Sequence, residues 1–312
     1  MKVAVTGSTG FIGAHLLPLL SSHGYLCVAL TELGLRSGGD GMGRFSVDVV
    51  SGEGLADGLK GAGGVIHLAA RNHFLKGTEK DPLSAYRRVN VEGTRNVIRA
   101  AVQAGARWFI HFSSVKTTGE GGEAVFDEDS PCKPSTPYGI SKLESEEVVQ
   151  RVAEESGIRA LIFRLPMVYG PGNLGNLPRM IRWADKGAPF PLYQPENLRS
   201  MVYVGNVVHA VPLAIRKATL GVPIYILKDV EDYSTRIVYR AICNALGKKP
   251  RFIPVPSPVV RLGGWLSEDI RKITGSFRVS SAKFARDTDF TPPFSLEEGI
   301  KRTVEWYKRS AR

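Results

Sequence analysis

Cysteine is scarce in this chain: Cys27, Cys132 and Cys243 are its only thiols, and they lie far apart. With no C-x-x-C pair, neither a disulfide framework nor a cysteine-based metal site is expected, and a reducing compartment fits. The histidines (His15, His23, His73, His111 and His209 among them) show no ligand spacing either, so no metal is expected. Long hydrophobic runs are missing as well. Nothing approaches the roughly 18 uninterrupted apolar residues of a membrane span. The amino-terminal residues carry one lysine and then enter an apolar strand, without the segments of a secretory signal; a cytoplasmic location is the expectation. Acidic residues are in short supply: 30 against 41 basic ones, for a formal charge of +11. The basic residues are scattered, from Arg36 and Arg44 through Arg87 and Arg88 to Lys301 and Arg302, and do not interleave with aromatics. A nucleic-acid surface is therefore not expected, and small anionic ligands suit the charge better.

Neither repeats nor low-complexity tracts interrupt the 312 residues, 43% of them hydrophobic. Short apolar runs at 2–6, 25–30, 63–69, 107–114 and 159–165 predict buried strands, with another short strand within 42–50. Helical spacing covers 11–22, 84–104 and 138–156 between them. Strand and helix in alternation require right-handed crossovers and a mostly parallel sheet. The fold class is thus α/β: a doubly wound Rossmann sheet with a smaller, helix-rich carboxyl-terminal part. The dinucleotide-binding domain is assigned to 1–170, its sheet also receiving about 199–226, and substrate binding to 171–198 and 227–312. Residues 166–179 and 187–200, rich in Pro, Gly and Asn, read as loops; 199–204 reads as a strand returning to the sheet, followed by a helix to about Lys217. Ser295 and Glu298 form a capping box opening the last helix. The apolar stretch 257–270 reads as core or subunit contact.

Two patterns carry chemistry. "TGSTGFIG" (6–13) places Gly7, Gly10 and Gly13 between a strand and a helix, as a phosphate-cradling loop or a plain glycine turn would. "YGISK" (138–142) sets Tyr138 and Lys142 four residues apart, on one helix face, after the serine-bearing strand that ends in Ser114. Bringing a phenol from about 10 to about 7 takes roughly 4 kcal/mol. A cation about 4 Å away at an effective dielectric near 20 supplies about that much. The pair therefore has the energetics of a general acid–base.

These segments, with "VIHLAA" (65–70), "VNVEGTRNV" (89–97), "FSS" (112–114), "RLPMVYGPG" (164–172) and "RSMVYVGNV" (199–207), resemble the extended short-chain dehydrogenase/reductase family, in its nucleotide-sugar epimerase/dehydratase group. The resemblance covers nearly the whole chain and favours the phosphate cradle over the plain turn. It implies NAD or NADP held by Gly7, Thr9, Gly10, Phe11, Ile12, Gly13, Thr31, Arg36, Asp48, Val49, Leu68, Ala69, Ala70, Tyr138, Lys142, Pro166 and Val168, with His67 also along the dinucleotide. It implies a catalytic triad of Ser114, Tyr138 and Lys142. Ser114, Lys116, Asn176, Arg199 and Arg278 are implied for the substrate, a UDP-sugar, the last three at its diphosphate; surface salt bridges are the alternative for the two arginines. Asn90 is expected to tie the sheet together. A homodimer through the helices 84–104 and 138–156 is implied by the same resemblance.

Two departures from the family pattern narrow the reading. Thr31 stands where NAD-preferring relatives place Asp, and Arg36 could meet a 2′-phosphate while Glu32 argues against one, so cofactor preference stays open. Val115 and Lys116 stand where sugar-nucleotide 4,6-dehydratases carry two carboxylates, which argues against dehydration. Oxidoreduction at C4 of a nucleotide sugar remains. "SSVKTTGE" (113–120) and the compact length are similar to bacterial UDP-4-keto-6-deoxy-N-acetylhexosamine 4-reductases of polysaccharide assembly, and that reading is favoured. A UDP-hexose 4-epimerase with retained NAD is the alternative, and a non-catalytic NAD(P)-binding regulator a second one.

Overall fold

The computed structural model describes residues 1–32, 43–72, 81–193, 197–217, 221–255 and 275–310. Arg36, His73 and the stretch 257–270 lie outside the described residues. Seven strands form one parallel sheet: β1 (Lys2–Thr6), β2 (Leu26–Glu32), β3 (Gly43–Val47), β4 (Gly64–His67), β5 (Trp108–Ser114), β7 (Arg159–Leu165) and β11 (Ile224–Ile226). Their spatial order is β3-β2-β1-β4-β5-β7-β11, and the reversal between β1 and β4 opens a crevice at the carboxyl ends of these strands. Val3, Val5, Ile66, Ile110 and Leu161 face α1 (Phe11–Ser22) and α7 (Val204–Lys217). Ala4, Val65, Phe109, Ala160 and Ile162 face α2 (Leu55–Leu59), α4 (Gly93–Gln103) and α5 (Pro137–Ser156). Covering on both faces is why these strands read as continuous apolar runs rather than alternating ones. Pro82–Arg87 (α3) runs into α4 through a π-helical turn at Arg88–Glu92.

One expectation about the sheet fails. Arg199–Tyr203 (β10) does not return to it; β10 pairs in parallel with Met167–Tyr169 (β8) and antiparallel with Asp232–Tyr233 (β12) in a separate three-stranded sheet. The place beside β7 is taken by β11, with Ile224 opposite Ile162. Pro166 supplies the reason: without an N–H it cannot extend the β7 ladder, so the chain leaves the sheet there and β8 captures β10. The loop reading of 166–179 and 187–200 is also too simple, since α6 (Asn176–Asp185) and β9 (Phe190–Tyr193) form inside it. Two short pairs flank these sheets, β6 (Val125–Phe126) with β14 (Arg278–Val279) and β9 with β13 (Phe252–Val255). Helix α9 (Ala282–Thr288) covers β11 by setting Phe284 edge-on to Tyr225.

A third core gathers Leu177 and Ile181 of α6, Val238 and Ile242 of α8 (Thr235–Leu246), and Leu296, Ile300 and Val304 of α10 (Leu296–Ser310) around Tyr169, Met201 and Tyr203. Helix α10 starts with only half of the expected box. Ser295 Oγ accepts from the Glu298 N–H at 3.3 Å, while the Glu298 carboxylate turns forward to Arg302 at 2.7 Å. A buried carboxylate, Asp229, joins this core to the main sheet. It accepts from the Tyr203 N–H (2.9 Å), Asn206 Nδ2 (2.7 Å) and the Tyr169 hydroxyl (2.9 Å), and Asn206 also bonds both backbone groups of Phe294. Asn206→Leu would leave Asp229 and Phe294 with unmet polar groups, each costing about 1–3 kcal/mol. We expect this variant to lose at least about 3 kcal/mol of unfolding free energy in urea titration.

Candidate functional site

The first wall of the crevice is the turn after β1. Gly7 has φ +64°, and a Cβ there would lie 2.6 Å from the Ala69 nitrogen; one on Gly13 would lie 2.5 Å from the Gly7 carbonyl oxygen. Side chains at either position would push α1 away from the sheet. Gly10 precedes α1 with no side-chain cap and no acidic residue in the first turn, and Thr9 and Gly10 are exposed. The amides that open α1 are therefore presented to the crevice with the positive end of the helix dipole behind them, a fit for a pyrophosphate.

Beneath the crevice, a seam of buried polar groups joins sheet and helices. The Ala69 N–H donates to Thr6 Oγ1 (3.3 Å), which lies 2.7 Å from His67 Nδ1. His67 Nε2 lies 3.0 Å from Thr94 Oγ1, whose proton goes to the Asn90 carbonyl at 2.6 Å. Because Thr94 has given its proton away, His67 must donate from Nε2 and accept at Nδ1 from Thr6. Asn90, inside the π-helical turn, accepts from the Arg71 N–H (2.8 Å) and donates to the Arg71 carbonyl (3.1 Å) and to Ser141 Oγ (3.0 Å). Ser141 in turn donates to the Tyr138 carbonyl at 2.8 Å. His67 is thus a strut, 0% exposed with both nitrogens engaged, and does not line the dinucleotide surface.

A second branch fixes Lys142. Ser145 donates to the Lys142 carbonyl (2.7 Å) and accepts from His111 Nε2 (3.0 Å), while His111 Nδ1 is buried without a partner. Lys142 is 2% exposed; its Nζ donates to the Phe112 carbonyl at 2.7 Å and lies 3.4 Å from His111 Nε2. Thr136 caps α5 through the Gly139 N–H (3.2 Å), and Gly139 lets the helix press on the turn after β5, where a Cβ would come within 2.6 Å of the Lys116 carbonyl oxygen. That contact sets Tyr138 at the start of α5 beside Ser114 at the end of β5, near enough for the serine to act on the phenol. The Tyr86 ring packs 5.8 Å from the Tyr138 ring.

The electrostatics correct the sequence reading. Burial raises the Tyr138 phenol to about 12, against the smaller lowering from Ser114. Burial also lowers the Lys142 amine to about 8, with Glu146 acting the other way. Desolvation penalises both charged forms, and the ammonium aims at Phe112, so the expected lowering of the phenol by Lys142 is not present in the protein by itself.

Other expected residues are placed unevenly. Leu68, Ala69 and Ala70 are partly exposed at the end of β4, and Phe11 and Ile12 begin α1. Asp48 spends a carboxylate oxygen on the Val50 N–H (2.8 Å), which holds its pKa below the ordinary value, and Asn96 grips the Val49 and Val50 carbonyls. Thr31 is buried, with its hydroxyl 3.5 Å from the Phe45 carbonyl, whereas Glu32 is exposed. Pro166 and Val168 follow β7, and Asn176 is exposed at the start of α6. Lys116, Arg199 and Arg278 come together. Lys116 pairs with Glu120 (2.7 Å) and lies over the Phe277 ring, Arg199 donates to the Gly275 carbonyl (3.3 Å) and feels Glu120, and Arg278 donates to the Glu123 carbonyl. Ser145 and Glu146 escape sequence reasoning, since an ordinary Ser or Glu in a helical pattern gives no sign that it is inside; Glu120, exposed in the loop after β5, gives no signal of its partners either. Among the described residues, no cluster of His, Cys, Asp and Glu could hold a metal ion, and no helix is long and apolar enough to cross a membrane.

Comparison with known proteins decides the relationship. The model of the NAD dependent epimerase/dehydratase family matches residues 3–226. The chain belongs to this family. It is an NAD(P)-dependent enzyme of the extended short-chain dehydrogenase/reductase type. It is 32% identical to a UDP-glucose 4-epimerase of Vibrio cholerae, over 97% of this chain and 94% of that one. Among solved structures, MoeE5 in complex with UDP-glucose and NAD is 27% identical with a TM-score of 0.81, covering 100% of both chains. A UDP-glucose 4-epimerase of Thermus thermophilus, in complex with NAD, is 27% identical with a TM-score of 0.78, over 99% of each chain.

In this family member the seam makes acid stability a readable quantity. Burial and the nearby Lys142 cation push His67 down to about 3 and His111 well below its ordinary value. The unfolded chain takes up both protons below about 6.5 while the folded one does not, so each imidazole removes about 1.4 kcal/mol per pH unit as pH falls from there. Glu128 and Asp229, raised by burial, act in the opposite sense, so the difference between proteins isolates the histidine. His111→Gln should flatten the slope of urea-derived stability between pH 6 and 5 by about 1.4 kcal/mol per unit relative to wild type. An equal slope would mean that His111 is protonated in the folded protein.

Proposed function

We propose that the protein reduces the C4 keto group of a UDP-4-keto-6-deoxy-N-acetylhexosamine, a step of polysaccharide sugar biosynthesis. The observation that carries the reading is the placement of Tyr138, at the start of α5, beside Ser114 at the carboxyl edge of β5 with Lys142 one turn further on, burial favouring the protonated phenol. A protonated phenol is the form that donates. Bound NAD(P) supplies the hydride. Ser114 holds the sugar oxygen through its hydroxyl. Tyr138 passes its proton to that oxygen as negative charge develops on it, and the Lys142 ammonium then steadies the phenolate left behind. Gly7, Thr9, Gly10 and Gly13 with Phe11 and Ile12 hold the pyrophosphate; Thr31, Asp48, Val49 and Leu68 to Ala70 line the adenosine side; Pro166 and Val168 flank the nicotinamide. Lys116, Asn176, Arg199 and Arg278 take the substrate, the last three at its diphosphate, which the arginine forks match. Val115 is buried and Lys116 is ion-paired, so neither can do the work of a dehydratase carboxylate. A homodimer through α4 and α5 belongs to the same reading.

A 4-epimerase that retains its NAD is the second reading, supported by the name of the Vibrio cholerae relative. The same three residues would then act in both directions, with Tyr138 first accepting the C4 hydroxyl proton. The absorbance of reduced nicotinamide separates the two. Stoichiometric oxidation of NADH or NADPH by the UDP-4-keto sugar is the expected result, and the faster cofactor reports the preference at Thr31. Conversion of a UDP-hexose to its C4 epimer without net oxidation would replace reductase by epimerase. In either case Tyr138→Phe should lower kcat by about 10²–10⁴-fold while cofactor affinity stays nearly unchanged. Retained turnover in this variant would remove Tyr138 from the chemistry.

A further inference from the structure

Helix α5 carries a third functional group in register with Tyr138 and Lys142. Glu146 lies one turn beyond Lys142 and its side chain is 2% exposed. Arg164 of β7, itself 3% exposed, forks onto it: Nη2 to Oε2 at 2.7 Å, and Nε to Oε1 and Oε2 at 3.0 and 3.2 Å. Ser113 donates its hydroxyl to the same carboxylate. Ser113 and Arg164 are register partners on adjacent strands, so both face α5. Arg164 Nη2 also reaches Cys132 Sγ at 3.2 Å, and its Nη1 is buried without a partner. A buried ion pair with an unmet donor is a costly way to dock a helix; apolar side chains of similar volume do so at least as well.

The position of the pair relative to Lys142 gives it another use. Glu146 follows Lys142 by four residues on the same buried face of α5, and the two reach adjacent residues of β5: the Lys142 amine bonds the Phe112 carbonyl at 2.7 Å and Glu146 accepts from Ser113. The neutral His111 of β5 and His67 of β4 also act on the amine, and Arg164 of β7 is turned onto Glu146. Glu146 is the carboxylate in this set. We propose that Glu146, held by Arg164 and Ser113, is a positioning residue that keeps Lys142 protonated inside the protein. The inference rests on the reading of Tyr138 and Lys142 as the acid–base pair. Burial pulls the amine down to about 8, and the Glu146 charge opposes that pull. Arg164 completes the device: a lone buried carboxylate would take up a proton and lose its effect, whereas a guanidinium fork keeps it ionised.

The test reads the amine directly. Full-length protein labelled at lysine Cε with 13C is titrated by NMR, and the Lys142 signal is assigned by its loss in Lys142→Arg. In Glu146→Gln the Lys142 midpoint should fall by about one pH unit, a tenfold weaker hold on the proton. If that variant does not fold because Arg164 is left unpaired, Glu146→Gln combined with Arg164→Met should show a fall in the same direction but smaller, since the guanidinium charge that opposed the carboxylate is removed with it. Glu146→Asp keeps the carboxylate and should restore a near wild-type midpoint. The alkaline limb of the pH–rate profile should move with the midpoint. A Lys142 midpoint that stays in place when the carboxylate is gone would overturn the proposal, as would a uniform loss of rate with an unmoved limb. Turnover retained in Tyr138→Phe would instead sink the acid–base reading, and the NMR titration would still decide whether Glu146 holds the proton on Lys142.

Discussion

The docking of α5 on the sheet is the constraint from which the site follows. Toward its carboxyl end the helix buries Val148, Val149, Val152 and Ala153, as any amphipathic helix would. Toward its amino end it buries Ser141, Lys142, Ser145 and Glu146 instead. Apolar packing tolerates small slips, because it has no direction. Buried donors and acceptors do not, since each one left unpaired costs as much as a large fraction of a protein's net stability. The polar half of α5 therefore fixes both the rotation and the axial position of the helix. Tyr138 and Lys142 are placed by that requirement, and Gly139 closes the remaining gap to the turn after β5.

Much of the fold was legible because its signals are local. Parallel strands buried on both faces announce themselves as apolar runs, and the boundaries of β1 and β7 were readable to the residue. The turn after β1 and the α5 placement of Tyr138 and Lys142 were legible for a similar reason: they depend on spacing along a single element. What failed were statements about partners distant in sequence. The strand pattern at 199–204 says nothing about which edge it will join, and Pro166 together with β11 decided that. Ser145 and Glu146 look like solvated residues of a helix until the opposing strand is known. The sign of the Tyr138 shift was misjudged because a Coulomb estimate between two groups omits the desolvation that both of them suffer.

The excess of basic residues also resolves into distinct uses. Arg164 is consumed inside the protein by Glu146, and Arg302 by Glu298 at the surface. Arg87 pairs with Glu144 between α3 and α5. Lys116, Arg199 and Arg278, by contrast, gather around Glu120 and the backbone near Phe277.

The seam from Ala69 to Asn90 has one more property. Its interior members, two hydroxyls and an imidazole, can each point their proton either way, and a free chain of such groups would have two equally good arrangements, one the mirror of the other. Its ends cannot switch: one is a backbone N–H, which only gives, and the other a backbone carbonyl, which only takes. The terminal groups act as boundary conditions that select a single polarity for every link between them. The degeneracy is removed by the fold alone, and the proton order of the seam beneath the crevice is single-valued.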